Sequence, residues 1–245
     1  MLFRSVDLTD VALEIRSGEI VGVAGVAGNG QEELMAALIG EHPLKRADAI
    51  QLDGQPVGGK GPDERRTLGM CFVPEERLGH AAVPNMTLAE NAVLSARIRK
   101  NLSRSGFINF QNTEKFSQQI VDAFNVKTAG IDHAARSLSG GNLQKFIMGR
   151  EILQAPTVLV AAQPTWGVDA GAAAAIHQAL IQLARDGAAI LIISQDLDEL
   201  MAICDRIAVI ADGRLTPPEP VATLTIEAIG RSEEHTSELQ SQNRI

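Results

Sequence analysis

The chain has 245 residues, 45% of them hydrophobic, and a formal net charge of −8. That length allows one large domain or a domain with a subdomain, and the apolar fraction is ample for a core. The acidic balance excludes nucleic acid as an expected partner; no apolar run approaches the ~20 residues of a membrane span, and the first residues show no secretory pattern.

Cys71 and Cys204 are the only cysteines and sit in apolar surroundings without metal-ligand spacing. They read as buried, reduced thiols of a cytosolic protein. The chain has no tyrosine and a single tryptophan, so base-stacking platforms are not indicated.

Residues 7–16 alternate weakly and predict a strand, closed by a turn at 17–19. Residues 20–24 form a short apolar run suited to a buried parallel strand. A glycine-rich loop follows, with Gly25, Gly28, Asn29 and Gly30, and then a helix over 31–39 whose apolar stripe is Leu34, Ala37 and Leu38 and whose stop is Gly40. Strand, glycine loop and helix in this order are the layout of a phosphate-binding P-loop.

That pattern calls for Gly, four residues, Gly, Lys and then Ser or Thr. Gly25 and Gly30 fit it, but Gln31 holds the lysine position and Glu32 the magnesium-binding hydroxyl position. The missing lysine removes a charge-assisted bond of about 1.5–3 kcal/mol. Glu32 adds negative charge where phosphate would lie, although with Glu33 it favours the helix N-terminus when no phosphate is there. The loop thus keeps a phosphate-binding shape without the side chains for ATP and magnesium. Two readings stay open: a purely structural loop, or one that still takes an anion on backbone donors.

Residues 41–69 are polar and turn-rich and predict a small β excursion, with 49–52 extended and Asp53-Gly54 as a tight turn. Residues 70–73 are another apolar strand leading into Pro74-Glu75-Glu76-Arg77-Leu78-Gly79, which by itself reads as a solvated turn. Thr87 with Glu90 is a capping box for a helix to about residue 99. A second helix is predicted from Asn112 or Thr113, with Phe116, Ile120, Val121 and Phe124 on one face. His133 reads as a surface residue of the connecting loop.

The stretch Leu138-Ser139-Gly140-Gly141-Asn142-Leu143-Gln144-Lys145 is a helix start. Ser139 can cap the first turn, and two glycines keep side chains away from the free backbone donors. Each glycine costs a helix about 1 kcal/mol relative to alanine, so the pair calls for a reason, and an anion at the helix N-terminus supplies one.

Residues 157–161 are a buried strand ended by Ala162-Gln163-Pro164-Thr165. Gly167-Val168-Asp169 leads into a helix over 170–185, with Ile176, Leu180 and Leu183 as its stripe and His177 on its surface. Residues 188–193 form a strand followed by Ser194-Gln195-Asp196, and 207–211 form a last strand closed by Asp212-Gly213. From Arg231 onward periodicity is lost; residues 231–245 look like a translated sequencing adapter and are expected to be a disordered tail.

The stretch 138–145 resembles the signature motif of ABC-transporter ATPases, and similarity to that family runs over roughly residues 7–229. The resemblance implies a RecA-like P-loop parallel α/β sheet with an inserted helical subdomain. It divides the chain into a core with a partial, truncated β subdomain (1–85), a helical subdomain (86–153) and a second part of the core (154–230). In this family the signature binds the terminal phosphate of an ATP held by a facing ATPase domain, which assigns Ser139, Gly140, Gly141, Asn142 and Gln144 to cofactor binding beside Gly25, Gly28, Asn29, Gly30 and Gln31. Residues 73–79 resemble the Q-loop that couples to the membrane domain, with Glu75 where most relatives have Gln. Asp169 lies in a D-loop and would act at the domain–domain interface. The family's acidic pair, one residue for magnesium and one to polarise water, is replaced by Ala162 and Gln163, and its histidine by Gln195. A methyl group cannot coordinate a hard cation and a neutral amide cannot take a proton from water.

These departures resemble those of the second, degenerate ATPase half of simple-sugar and nucleoside importers. The resemblance then implies no catalytic residue and no metal ligand in this chain, with ATP bound mainly, and magnesium only, at the partner's site. Implied partners are the first ATPase domain of the same full-length protein, transmembrane permease subunits and, indirectly, a lipoprotein or periplasmic binding protein. The implied location is the cytoplasmic face of the bacterial inner membrane. Three rivals remain: an ABC ATPase active by itself, a soluble ABC protein of translation or DNA repair, and a non-functional fragment of a longer gene, which both ends suggest.

Overall fold

The computed structural model describes residues 6–225, so the expectation for 231–245 lies outside the described residues. In chain order the elements are β1 (Ile20–Ala24), α1 (Gln31–Ile39), β2 (Gln51–Leu52), β3 (Gln55–Pro56), α2 (Pro62–Thr67), β4 (Met70–Val73), α3 (Leu88–Ala96), β5 (Ser103–Arg104) and β6 (Phe107–Ile108). They continue as α4 (Phe110–Ala123), α5 (Gly140–Ile152), β7 (Val158–Ala162), α6 (Ala170–Arg185), β8 (Ala189–Ser194), α7 (Leu197–Ile203), β9 (Arg206–Ala211), β10 (Arg214–Leu215) and β11 (Glu219–Pro220).

The main sheet runs β10-β9-β1-β8-β7-β4, with β11 also on β9. β9, β1, β8, β7 and β4 are parallel, and β10 and β11 add antiparallel pairs at one edge. Because side chains alternate across a strand, the apolar runs feed two cores. Ile20, Cys71, Val73, Leu159, Ala161, Ile190 and Ile192 face one, with α3 to α7. Val21, Val23, Met70, Phe72, Val160, Leu191 and Ile193 face the other, under α1 and the stretch 8–15. This is the RecA-like P-loop sheet with a helical insert that the sequence predicts. Cys71 and Cys204 are both buried free thiols, and burial pushes each well above the usual thiol range.

Several local expectations are corrected. Residues 7–16 form no strand: Leu8, Val11, Leu13 and Ile15 do pack inward, but the segment pairs with no described strand. Alternation records which face is buried, and a strand also needs a ladder partner. Residues 41–69 contain α2, unforeseen although Pro62 stands at its first position and Gly61 N donates to Glu64 Oε2 at 3.2 Å. The Asp53-Gly54 turn is present, with both residues at positive φ (48° and 74°), between β2 and β3. The helix from Thr87 ends at Ala96, after which turns return the fully buried Leu102 to the core. α4 starts two residues before Asn112 because Asn109 caps it, accepting from Asn112 N. α7, capped by Asp196, is also unforeseen.

Two arginines fix the helices that matter for the site. Arg65 is fully buried and donates to the carbonyls of Ala37 and Leu38 (2.6 Å each), Lys60 (2.9 Å) and Gly58 (3.0 Å). It thereby satisfies the free C-terminal carbonyls of α1 with a cation, the favourable charge for that end. Arg66 Nη1 lies 2.7 Å from Glu151 Oε2 and ties α2 to α5.

Candidate functional site

Two glycine-rich helix starts flank the C-terminal edge of the sheet, and they differ in what surrounds their backbone donors. The first is the loop between β1 and α1. Gly30 caps α1 at φ 111°, a backbone that only glycine adopts without strain, and offers no side-chain cap. The loop is closed by its own side chains. Gln31 Nε2 donates to Val26 O at 2.8 Å and Gln31 Oε1 accepts from Asn29 N at 3.1 Å. Asn29 Nδ2 donates to Val26 O, Asn29 Oδ1 accepts from Asp212 N, and Asn29 O accepts from Gly213 N at 2.8 Å. Gln31 thus consumes a loop amide that an anion would need.

Beside the start of α1 lies a cavity of ≈ 840 Å³ lined by Gln31 and by Asp7, Glu32, Glu33, Glu41, Glu75 and Glu76, with His42 and His80 but no arginine or lysine among the described lining residues. Burial, and after it the charge of Glu32, pushes the Glu75 carboxyl above its usual range. Ala162 closes the cavity floor with a methyl group. The wall carboxylates set negative charge against a phosphate, Gln31 brings it no positive charge, and the Ala162 methyl offers no oxygen to a hard cation.

The second start is α5. Ser139 caps it, its Oγ accepting from Asn142 N (3.5 Å) and Asn142 Nδ2 (3.0 Å). Ser139 and Gly140 are exposed. A Cβ on Gly140 would come within 2.8 Å of Arg77 Nη1 and displace that guanidinium, and one on Gly141 would press within 3.0 Å of the backbone oxygen of Gly167. Arg77, which sequence reasoning did not single out, therefore lies between the signature start and the loop at Gly167. Among the described residues its guanidinium forms no ion pair or hydrogen bond, and burial lowers its basicity. Its signal in the sequence was a lone cation after two glutamates.

Other expected site residues are placed as follows. Asn142 Oδ1 accepts from Lys127 N at 2.8 Å, an internal contact. Gln144 is 2% exposed and donates to Gln163 O (3.2 Å) and Pro164 O (2.9 Å), acting as a strut between α5 and the loop after β7. Asp169 caps α6 through Ala172 N at 3.0 Å, which holds its carboxyl below the usual range. Gln195 is exposed at the end of β8. His177, read as a surface residue, is instead half-buried against Glu199 Oε1 at 3.0 Å. His133 is exposed, as expected.

Sheet, glycine loop and inserted helices define a P-loop nucleotide-binding domain. The sequence model of the ABC transporter family matches residues 8–166, and the chain belongs to that family. It is 39% identical over 228 residues to the nucleoside import ATP-binding protein NupA of Lactococcus lactis subsp. cremoris, covering 92% of this chain and 44% of that protein. It is 36% identical over 222 residues to the ribose import ATP-binding protein RbsA 1 of Rubrobacter xylanophilus, covering 91% and 44%. The guanosine import ATP-binding protein NupO of Bacillus subtilis is 39% identical over 208 residues, covering 84% and 40%. The chain therefore spans less than half the length of these relatives. An ATP-binding subunit of an ABC transporter shares the fold with a TM-score of 0.74 at 20% identity, covering 93% of this chain and 92% of that one. A dimeric cassette in a post-hydrolysis state bound to ADP and Pi gives 0.73 at 22% identity, covering 87% and 90%. Membership of the family implies ATP and magnesium as ligands. Among the described residues no helix is long and apolar enough to cross a membrane.

Proposed function

We propose that this chain is the hydrolysis-deficient ATP-binding domain of an importer for nucleosides or simple sugars. In this reading it lends the signature start at Ser139, Gly140 and Gly141 to an ATP held by a first ATPase domain of the same longer protein. The observation that carries it is the contrast between the two starts. The loop at Gly25–Gly30 is closed by Gln31 and the cavity beside the first turn of α1 is walled by carboxylates, whereas the start at Ser139 is exposed, capped and attended by the unpaired guanidinium of Arg77.

An anion approaching α5 meets backbone N–H groups, the helix dipole and a guanidinium. One approaching α1 meets Glu32 and Glu75. Ala162, Gln163 and Gln195 leave the domain's own site without a magnesium ligand, a base or the family's histidine. The similarity to nucleoside and ribose import proteins supports the substrate class. The reading includes the division into core (1–85 and 154–230) and helical subdomain (86–153), Asp169 at the domain interface and Glu75 in coupling to permease subunits. It also includes ATP mainly and magnesium only at the partner's site, a peripheral position at the cytoplasmic membrane face, and an indirect link to a binding protein.

The test is ATP turnover by the two-domain protein with its permease. Ser139→Arg is expected to lower turnover by roughly 10²-fold or more, the scale of losing transition-state donors, because the bulk keeps phosphate from hydrogen-bond contact with the helix start. Gly30→Val is expected to cost far less. Equal damage by both would sink the donor-only reading.

A further inference from the structure

A buried polar cluster centred on Glu199 stands behind the loop 163–169. Glu199, in the first turn of α7, is 5% exposed. Its Oε1 accepts from Thr165 Oγ1 at 2.6 Å and faces His177 Nε2 at 3.0 Å, and its Oε2 accepts from Ser194 Oγ at 2.8 Å. The helix start reinforces this, since Asp196 N donates to Ser194 Oγ and Glu199 N donates to Asp196 Oδ1, both at 3.1 Å. Four elements thus converge on one carboxylate: the loop after β7, α6, the end of β8 and α7.

Gln163 belongs to the same cluster. Its carboxamide lies 3.3 Å from Ser194 Oγ. The Ser194 hydroxyl has a single proton, and the shorter contact to Glu199 takes it. The structure sets Gln163 Oε1 toward Ser194 Oγ; with the hydroxyl proton given to Glu199, turning the carboxamide over so that its NH2 group faces Ser194 is the assignment that satisfies both groups. A carboxylate at 163 has no such proton. It would set a second buried negative charge against a hydroxyl oxygen already committed to Glu199. The backbone leaves little freedom to turn away: Gln163 sits at φ 48°, and its main chain is gripped by Ile193 O, Trp166 N and Gln144 Nε2.

We propose that Glu199, oriented by His177, is the positioning residue for the loop 163–169, and that residue 163 is an amide because this corner accommodates one carboxylate and Glu199 is it. The base position of the family is then not merely vacated; it is built into a clamp that sets the loop carrying Gly167 and Asp169. The inference rests on the donor-only reading only in taking that loop to face a partner domain.

The test uses the chain as it stands, in four versions: wild type, Gln163→Glu, Glu199→Gln and the double variant. Trp166 is the only tryptophan of the chain, follows Thr165 directly and is 64% exposed, so its fluorescence anisotropy reports on the loop. Gln163→Glu is expected to lower the melting temperature by about 4–8 °C in the wild-type background and by under about 1 °C beside Glu199→Gln. Glu199→Gln, and separately Thr165→Val, should lower the Trp166 anisotropy in the folded state. Ile120→Val, a core control in α4, should lower the melting temperature and leave that anisotropy unchanged.

An equal cost of Gln163→Glu in both backgrounds overturns the amide argument. Wild-type anisotropy in both Glu199→Gln and Thr165→Val overturns the clamp; should Glu199→Gln not fold, Thr165→Val decides that part alone. None of these readouts involves ATP, so their failure leaves the donor-only reading untouched. Turnover by the isolated chain would in turn sink that reading and not this one.

Discussion

α1 and α5 both begin at glycines beside the sheet edge, yet they are held and charged in opposite ways. α1 presents Glu32 and Glu33 in its first turn and is fixed at its far end by Arg65. α5 has no acidic residue in its first turn, and every side chain from Leu143 to Ile152 is buried. Its C-terminal half is anchored by Glu151, which meets Arg66 (2.7 Å) and Arg150 (2.8 Å), while Arg150 reaches Asn91 O and Ala81 O. In the donor-only reading, backbone shape alone does not make an anion site. The surrounding charges decide whether the same local geometry attracts phosphate or turns it away.

The largest effect should come from the anchor. Glu151→Ala leaves two guanidinium groups without their carboxylate and is expected to cost about 3–5 kcal/mol in denaturant unfolding; a loss under about 1 kcal/mol would break the view of α5 as a rigid platform. The arginines hold Glu151 at a pKa of about 2, below its ordinary 4.5. Because the folded value is the lower one, this stabilisation is complete above pH ~4.5 and fades as pH falls towards ~2. Wild-type and Glu151→Ala stabilities should therefore converge on acidification.

Next in size is conversion of the first start towards the second. Gln31→Lys with Glu32→Ser opens the loop amide and reverses the local charge, and should tighten magnesium-ADP binding by roughly tenfold or more in calorimetry, the scale of one charged hydrogen bond. No change in affinity would mean that the remaining wall carboxylates dominate.

Ser139→Ala removes the cap of α5 and is expected to cost about 1 kcal/mol in unfolding experiments. No side-chain cap exists at Gly30 to be lost, so this cost has no counterpart in α1.

The smallest effect sharpens the charge argument. Burial and Glu32 raise Glu75 in the folded state, so its ionised form opposes folding. Glu75→Gln should stabilise the chain near neutral pH by under about 0.5 kcal/mol, with the gain gone below the ordinary carboxylate value. A destabilising change would show that the Glu75 charge has a favourable partner.

Much of this was legible in the residues. The bounds of α1 and α6 follow from Gly30, Gly40 and Asp169, and β4 from its apolar run, because each signal acts within a turn or two of chain. The cap at Ser139 was visible for the same reason, and the proposed loss of nucleotide chemistry at Gln31, Ala162, Gln163 and Gln195 rests on residue type alone. α2 and α7 carried cap signals at Gly61-Pro62 and Asp196 but are only six and seven residues long, too short for periodicity to register.

Local pattern and composition were enough for the buried apolar strands near 20–24, 70–73, 157–161, 188–193 and 207–211 and for the helices at 31–39 and 170–185, since each rests on a run of neighbouring residues. Packing across the fold was needed to show that residues 7–16 lack a described ladder partner, that Gln31 seals its own loop, that Gln144 faces inward as a strut and that His177 and Glu199 meet 22 positions apart. A hydrogen bond acts at about 3 Å whatever the separation along the chain, and the sheet's crossovers bring such residues together without leaving any trace in their neighbours.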